Sequence, residues 1–290
     1  MAPSKVTIDL SKTAFIKKQV SFSEPSQNKR GHMVSYVNYT DPETGETGTP
    51  QFLVKGRFRI VFKPEIFQGK WYLQVDSGVN SMFPDDPSKN TTDKVHLALY
   101  HALKDIDDLC TEHAKKSPDV WLCDPSPSPG DFLKKRNSVI HPSSYKPNPN
   151  VNVKVPNGKY SDGLKFSLPV SEKDKEHLCK YFICPLGKKF DASNPENHLS
   201  INDIQQGQEC SMLLESNGVW FPQGKYGHSV KANLIKVYEG KTMSIEAAAN
   251  ALDDEEEEEE EEQETENKSV GIEAFDDDGE EELDDDDDEA

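Results

Sequence analysis

Between Phe52 and Lys63 the chain places cations and apolar side chains on opposite parities. Lys55, Arg57, Arg59 and Lys63 take one; Phe52, Val54, Phe58, Ile60 and Phe62 take the other. A two-residue period makes this a strand with an apolar face for a core and a cationic face for solvent or an anion. A solvated strand also carries lysines, but four bases with no acid among them favour a face that neutralises phosphate. Phosphate contacts alone do not hold unpaired bases. Those need aromatic faces, each stack contributing about 1–3 kcal/mol. Trp71-Tyr72-Leu73 follows closely, and its parity directs Tyr72 outward and Trp71 toward the core. Cations and aromatics interleave again at Lys134-Lys135-Arg136 with Tyr145 and Lys146, and Lys154 follows in a basic-apolar segment. A third set is Trp220-Phe221 with Lys225 and Tyr226.

Chemistry of other kinds is missing from the pattern. There is no Gly-x-x-x-x-Gly-Lys-Ser/Thr, no Gly-x-Ser-x-Gly and no His-Glu-x-x-His. His96 and His101 lie beside the apolar stripe of a helix, where structural duties are the common ones. The expectation is a non-enzyme without a cofactor. Five cysteines, at 110, 123, 179, 184 and 210, are odd in number and lack framework spacing, as suits reduced thiols in a cytosolic or nuclear compartment. His177, Cys179 and Cys184 cluster without a fourth ligand, so no metal site is expected.

Charge divides the chain. From Asp253 to Ala290 there are 25 Asp and Glu against a single Lys268, a net of −24, whereas the whole protein carries −20. Residues 1–252 are therefore mildly basic, at +4. Eight consecutive glutamates, Glu255 to Glu262, repel one another and are expected to stay solvated. Such a tail competes in cis for any cationic surface that the body offers to an anionic polymer. The expected division is a folded domain over 1–242 and a disordered acidic tail over 243–290. No apolar run reaches the roughly 18 residues of a membrane span, and Met1-Ala2-Pro3-Ser4-Lys5 opens no signal peptide. A soluble intracellular protein is the expectation.

The elements that must position these residues are mostly short strands. Val6–Leu10 alternates; Phe52–Lys63 ends at Pro64; Trp71–Val75 reads as its hairpin partner. Val95, Leu99, Leu103, Ile106 and Cys110 recur at helical spacing, giving a helix over about 92–115 that Asn90, Thr91 or Thr92 would cap and that covers the core. Ser117 to Asn150 contains seven prolines and reads as a long connection. Strands resume at 151–155, 164–168, 181–183, 210–215, 219–221 and 230–238, with Ser216-Asn217-Gly218 as a hairpin turn and a short helix at 244–252. The whole is mostly β (α+β), a barrel or sandwich with a capping helix and long insertions.

Three segments bring a resemblance into view. Tyr145-Lys146-Pro147-Asn148-Pro149 leads into Val151-Asn152-Val153-Lys154-Val155; Cys210 to Phe221 follows; Ile235-Lys236-Val237-Tyr238-Glu239 closes the body. In that order and spacing, over about residues 135–240, the chain resembles the single-stranded DNA-binding proteins of nucleocytoplasmic large DNA viruses, the African swine fever virus type. The resemblance implies an OB-fold core with long insertions. It also implies coating of single-stranded DNA during viral replication, recombination or repair, in the host nucleus or a cytoplasmic viral factory. The acidic tail departs from that relative and is similar to those of phage and bacterial single-strand binders, which regulate DNA binding and dock replication proteins. The bacterial tails close on an aromatic residue, whereas Phe275 here lies within the run.

The expected ligand is single-stranded DNA, contacted by Lys55, Arg57, Arg59, Lys63, Lys134, Lys135, Arg136, Lys146 and Lys154, with Tyr72 and Tyr145 stacking. Nothing in the sequence separates DNA from RNA, and self-association along the strand stays open. The alternative from another class is a chaperone of histones or other basic proteins, with the tail as the working surface. A virion scaffold without either activity is a third.

Overall fold

The computed structural model describes residues 4–28, 31–67, 69–145, 155–156, 158–171, 176–221 and 224–239. The chain divides into Met1–Gly240 and Lys241–Ala290, and every described residue belongs to the first unit. The early strands of that unit are β1 (Lys5–Asp9), β2 (Val20–Phe22), β3 (Ser26–Gln27), β4 (Met33–Ser35), β5 (Val37–Thr40), β6 (Thr47–Phe67) and β7 (Lys70–Asp76). Helices α1 (Lys94–Lys116), α2 (Pro118–Trp121) and α3 (Asp131–Lys134) come next. The chain then returns to strands: β8 (Ile140–His141), β9 (Ser144–Tyr145), β10 (Val155–Pro156), β11 (Gly163–Leu168), β12 (Lys180–Cys184), β13 (Glu209–Trp220) and β14 (Gly227–Tyr238). The fold is mostly β, as expected.

Five of these strands form a ring. β6 pairs β7, β7 pairs β11, β14 pairs β13, and β13 returns to β6, all antiparallel. The ring closes between β11 and β14, where Ser167 lies opposite Lys231 in the one parallel step. β1 and β12 add parallel strands outside β6 and β14. Alternation explains the closure: Phe52, Val54, Phe58, Ile60, Leu73, Val75, Leu164, Phe166, Cys210, Met212, Leu214, Ile235 and Val237 all turn inward and are buried. α1 covers this core with Leu99, Leu103, Ile106 and Cys110, all fully buried.

Four readings of the sequence change in physical detail. Pro64 does not end β6, because the register shifts between Phe62 and Glu65 and a proline without an N–H is tolerated at such a bulge. The neighbouring shift, between Ile60 and Phe62, turns Phe62 out of the core face it would occupy by strict alternation, leaving it 51% exposed. Ser216-Asn217-Gly218 is not a hairpin turn. It is an irregularity inside β13, where Gly218 at φ +86° passes so close to Ser35 that a Cβ would lie 2.9 Å from its carbonyl oxygen. The hairpin proper joins Trp220 to Gly227. The cap of α1 is Asp93, whose carboxylate accepts from the Val95 and His96 amides at 2.8 and 3.1 Å. The short helix expected over 244–252 lies outside the described residues.

Candidate nucleic-acid interface

Lys55, Arg57 and Arg59 lie on the outward face of β6, and Lys63, which follows the shift at Phe62, is exposed. Their neighbours differ. Lys55 reaches Asp9 at 2.6 Å, and the hydrogen bonds from Lys55 and Ser11 hold that carboxyl down at about 2. Arg57 meets Glu209 at 3.1 Å and lies over the Tyr238 ring, its guanidinium carbon 4.4 Å from the centroid. Arg59 and Lys63 form no ion pair with a described residue.

Beyond Ile60 the β6–β7 hairpin adds aromatics to these cations. Register places Phe62 opposite Gln74, Glu65 opposite Tyr72 and Phe67 opposite Lys70. On the next strand Lys165 lies opposite Gln74 and Ser167 opposite Tyr72. All share the face opposite buried Leu73 and Val75. The Lys165 ammonium sits 4.5 Å from the Tyr72 ring centre and 5.2 Å from that of Phe67. Phe67 is 54% exposed, whereas partial burial raises the Tyr72 hydroxyl above its ordinary range. Trp71 packs against the core, with His177 edge-on at 5.5 Å, as its parity requires. The carboxylate nearest Lys165, that of Glu65, is 4.0 Å away and mostly exposed. Such a surface pair contributes roughly 0–1 kcal/mol and is readily exchanged for a phosphate. Sequence reasoning assigns no binding role to Phe62, Phe67, Lys70 or Lys165. Phe67 lies past Pro64, and Lys165 is the lone cation of a short apolar strand. The Gln68-Gly69 dipeptide is the one turn signal that could have placed the hairpin tip.

A second group of rings and cations lies across β14. Lys236 is 4.2 Å from the Phe190 centroid and 5.6 Å from that of Tyr238, and Tyr238 donates to the Ser211 hydroxyl at 3.3 Å. Glu209 faces Tyr238 on one side and Arg59 on the other, so the row crosses β14, β13 and β6.

The remaining sites named from sequence are distributed differently. Lys134 is exposed at the end of α3. Lys135 pairs with Asp124 at 3.2 Å, and Arg136 lies against Asp108 at 3.6 Å and the Thr111 hydroxyl at 3.3 Å. Arg136 ties the insertion to α1, whereas the Lys135 pair lies within the insertion. Tyr145 pairs with Val155 in the β9–β10 ladder; Lys146 and Lys154 lie outside the described residues. In the third set, Tyr226 is fully buried, donating to the Phe132 carbonyl at 2.7 Å, and Phe221 meets Trp121 edge-on at 5.1 Å. Those two rings are core, not platform. Lys225 is exposed.

Buried charge elsewhere serves structure. Glu215 accepts from Lys5 at 2.6 Å, Asn233 at 2.6 Å and Lys231 at 2.9 Å, which ties β1 to β13 and β14. Burial alone would raise its pKa, yet these partners hold it below the usual value. His228 is buried with one nitrogen on Ser216 at 3.0 Å, and desolvation depresses it to about 3. Among the described residues no group of three or more His, Cys, Asp or Glu could hold a metal ion, and no helix is long and apolar enough to cross a membrane. No family model matches the chain. No curated protein matches it either.

Proposed function

We propose that this protein is a non-enzymatic, sequence-independent binder of single-stranded nucleic acid. The observation that carries the reading is the outer face of β6, β7 and β11. There Phe62, Phe67 and Tyr72 stand among Lys70 and Lys165. Cations follow phosphates and ring faces take unstacked bases, a combination that tolerates any sequence and suits a single strand better than a duplex, whose bases are already stacked. Ring topology supports an OB-type barrel. Taken in chain order, its strands follow the cycle first, second, third, fifth, fourth, with the third and fifth parallel. OB barrels bind oligonucleotides on the second and third strands and on the loop joining the first two, which here are β7, β11 and the β6–β7 hairpin. In this reading the protein coats single-stranded DNA in viral replication, recombination or repair, and its acidic tail competes for the cationic face and docks replication proteins.

The test is a titration of a labelled single strand of ~30 nucleotides with the unsubstituted protein and with Phe67→Ala and Lys165→Ala. Loss of one stack contributing about 1–3 kcal/mol weakens binding roughly 5- to 160-fold, and the Lys165 change also flattens the salt dependence. Unchanged affinity in both variants would remove the hairpin from the interface. A second reading is favoured by one feature, the 25 acids among the last 38 residues: a chaperone that holds basic proteins through its tail. It predicts no mobility shift of a short oligonucleotide and saturable binding of core histones.

A further inference from the structure

The turn after β12 carries a basic-aromatic cluster that none of the sequence signals marks. In Leu186-Gly187-Lys188-Lys189-Phe190, Gly187 adopts φ +69°, and the Leu186 amide donates to the Glu239 carboxylate at 2.8 Å, fixing the turn to the end of β14. Lys188 and Lys189 are exposed. Phe190 meets Phe182 edge-on at 5.7 Å and offers its own ring to Lys236 at 4.2 Å. From there the row continues through Tyr238 to Arg57. The nearby acids are otherwise engaged: Glu209 on Arg57, Glu239 on the Leu186 amide, Asp191 on Ser193.

We infer that Lys188, Lys189, Phe190, Lys236 and Tyr238 form a second contact for the same nucleic-acid strand, separate from the β6–β7 hairpin and joined to it by Arg57 and Arg59. This rests on the reading given under Proposed function. Two strand spacings of about 4.8 Å separate Tyr238 from Arg59, and β6 rises about 3.3 Å per residue from Arg59 to Phe67. The path is therefore on the order of 35 Å, or about ten nucleotides at the ~3.4 Å spacing of a stacked strand. A ligand of ~5 nucleotides fits one cluster, and one of ~15 spans both, within the usual footprint of such a barrel.

The test measures binding of oligothymidylates of ~5 and ~15 nucleotides by full-length protein. Two variants are compared: Lys188→Ala/Lys189→Ala/Phe190→Ala, and Lys188→Glu/Lys189→Glu, which keeps the Phe190 packing. Both are expected to weaken the longer ligand about tenfold or more. The alanine variant should also lower its salt slope by about 1.4, at roughly 0.7 per phosphate contact, while the shorter ligand changes less than about twofold. Equal losses for the two lengths, or no loss for the longer one, overturn the inference while leaving the hairpin reading intact. Failure of the unsubstituted protein to bind either length overturns both.

Discussion

The four exposed bases of β6 are not equivalent, and their partners decide which of them can answer a phosphate. Lys55 already holds Asp9, a carboxyl that the contact keeps at about 2, so a phosphate must compete with an ion pair formed in the fold. Lys63 has no such competitor among the described residues. Lys63→Ala is therefore expected to reduce the slope of log affinity against log salt by about 0.7, the value for one phosphate on a single strand, and Lys55→Ala by clearly less. Equal slopes for both variants, read by anisotropy at several salt concentrations, would contradict this ordering. The alternation itself was legible in the sequence, because a strict two-residue period needs no tertiary information. The outward turn of Phe62 was not, because one extra residue in a strand reverses every later side chain and the bulge leaves no local mark beyond Pro64.

At the scale of elements, the same difficulty recurs in β13. Small polar residues and a glycine at 216–218 look like a turn, yet Gly218 is required by the close approach of Ser35 on β4, a strand nearly two hundred residues earlier. Long-range crowding selects the same residue types as local turning does. Helix α1 was legible throughout, with the cap displaced by one position to Asp93. Its attachment to the insertion was not visible. Asp107 on α1 accepts from the Ser138 hydroxyl, while its other oxygen is buried without a partner. Burial drives its pKa up to about 6 against the opposing pull of Ser138 and Arg136, with Asp108 adding and Lys104 subtracting. A raised folded value means that the protonated form is favoured by the fold. The stabilisation is complete below about 3.8 and is lost as pH rises through about 6. Asp107→Asn, which has no charge to bury, should therefore gain Tm over the unsubstituted protein at pH 8. The difference should shrink towards pH 4 and corresponds to at most about 2–3 kcal/mol. A pH-independent difference in thermal melts would rule this account out.

For the whole molecule, charge is divided sharply along the chain. The body at +4 and the last 38 residues at −24 share one chain, so the proposed competition between tail and nucleic acid is intramolecular and independent of protein concentration. That competition should fade as salt screens it, since the Debye length falls to about 10 Å at 0.1 M. A form ending at Leu252 is accordingly expected to bind more tightly at low salt and to show the steeper salt dependence. Composition made this division legible from sequence alone; the closed ring was not, because β11 and β14 meet at a single paired position that no local pattern announces. The most direct measurement is fluorescence anisotropy of a labelled DNA single strand of ~30 nucleotides, titrated with both forms across several salt concentrations and challenged with duplex. The expected result is salt-sensitive binding that duplex does not displace and that loss of the tail strengthens. Absence of binding by both forms, or equal displacement by duplex, would contradict it.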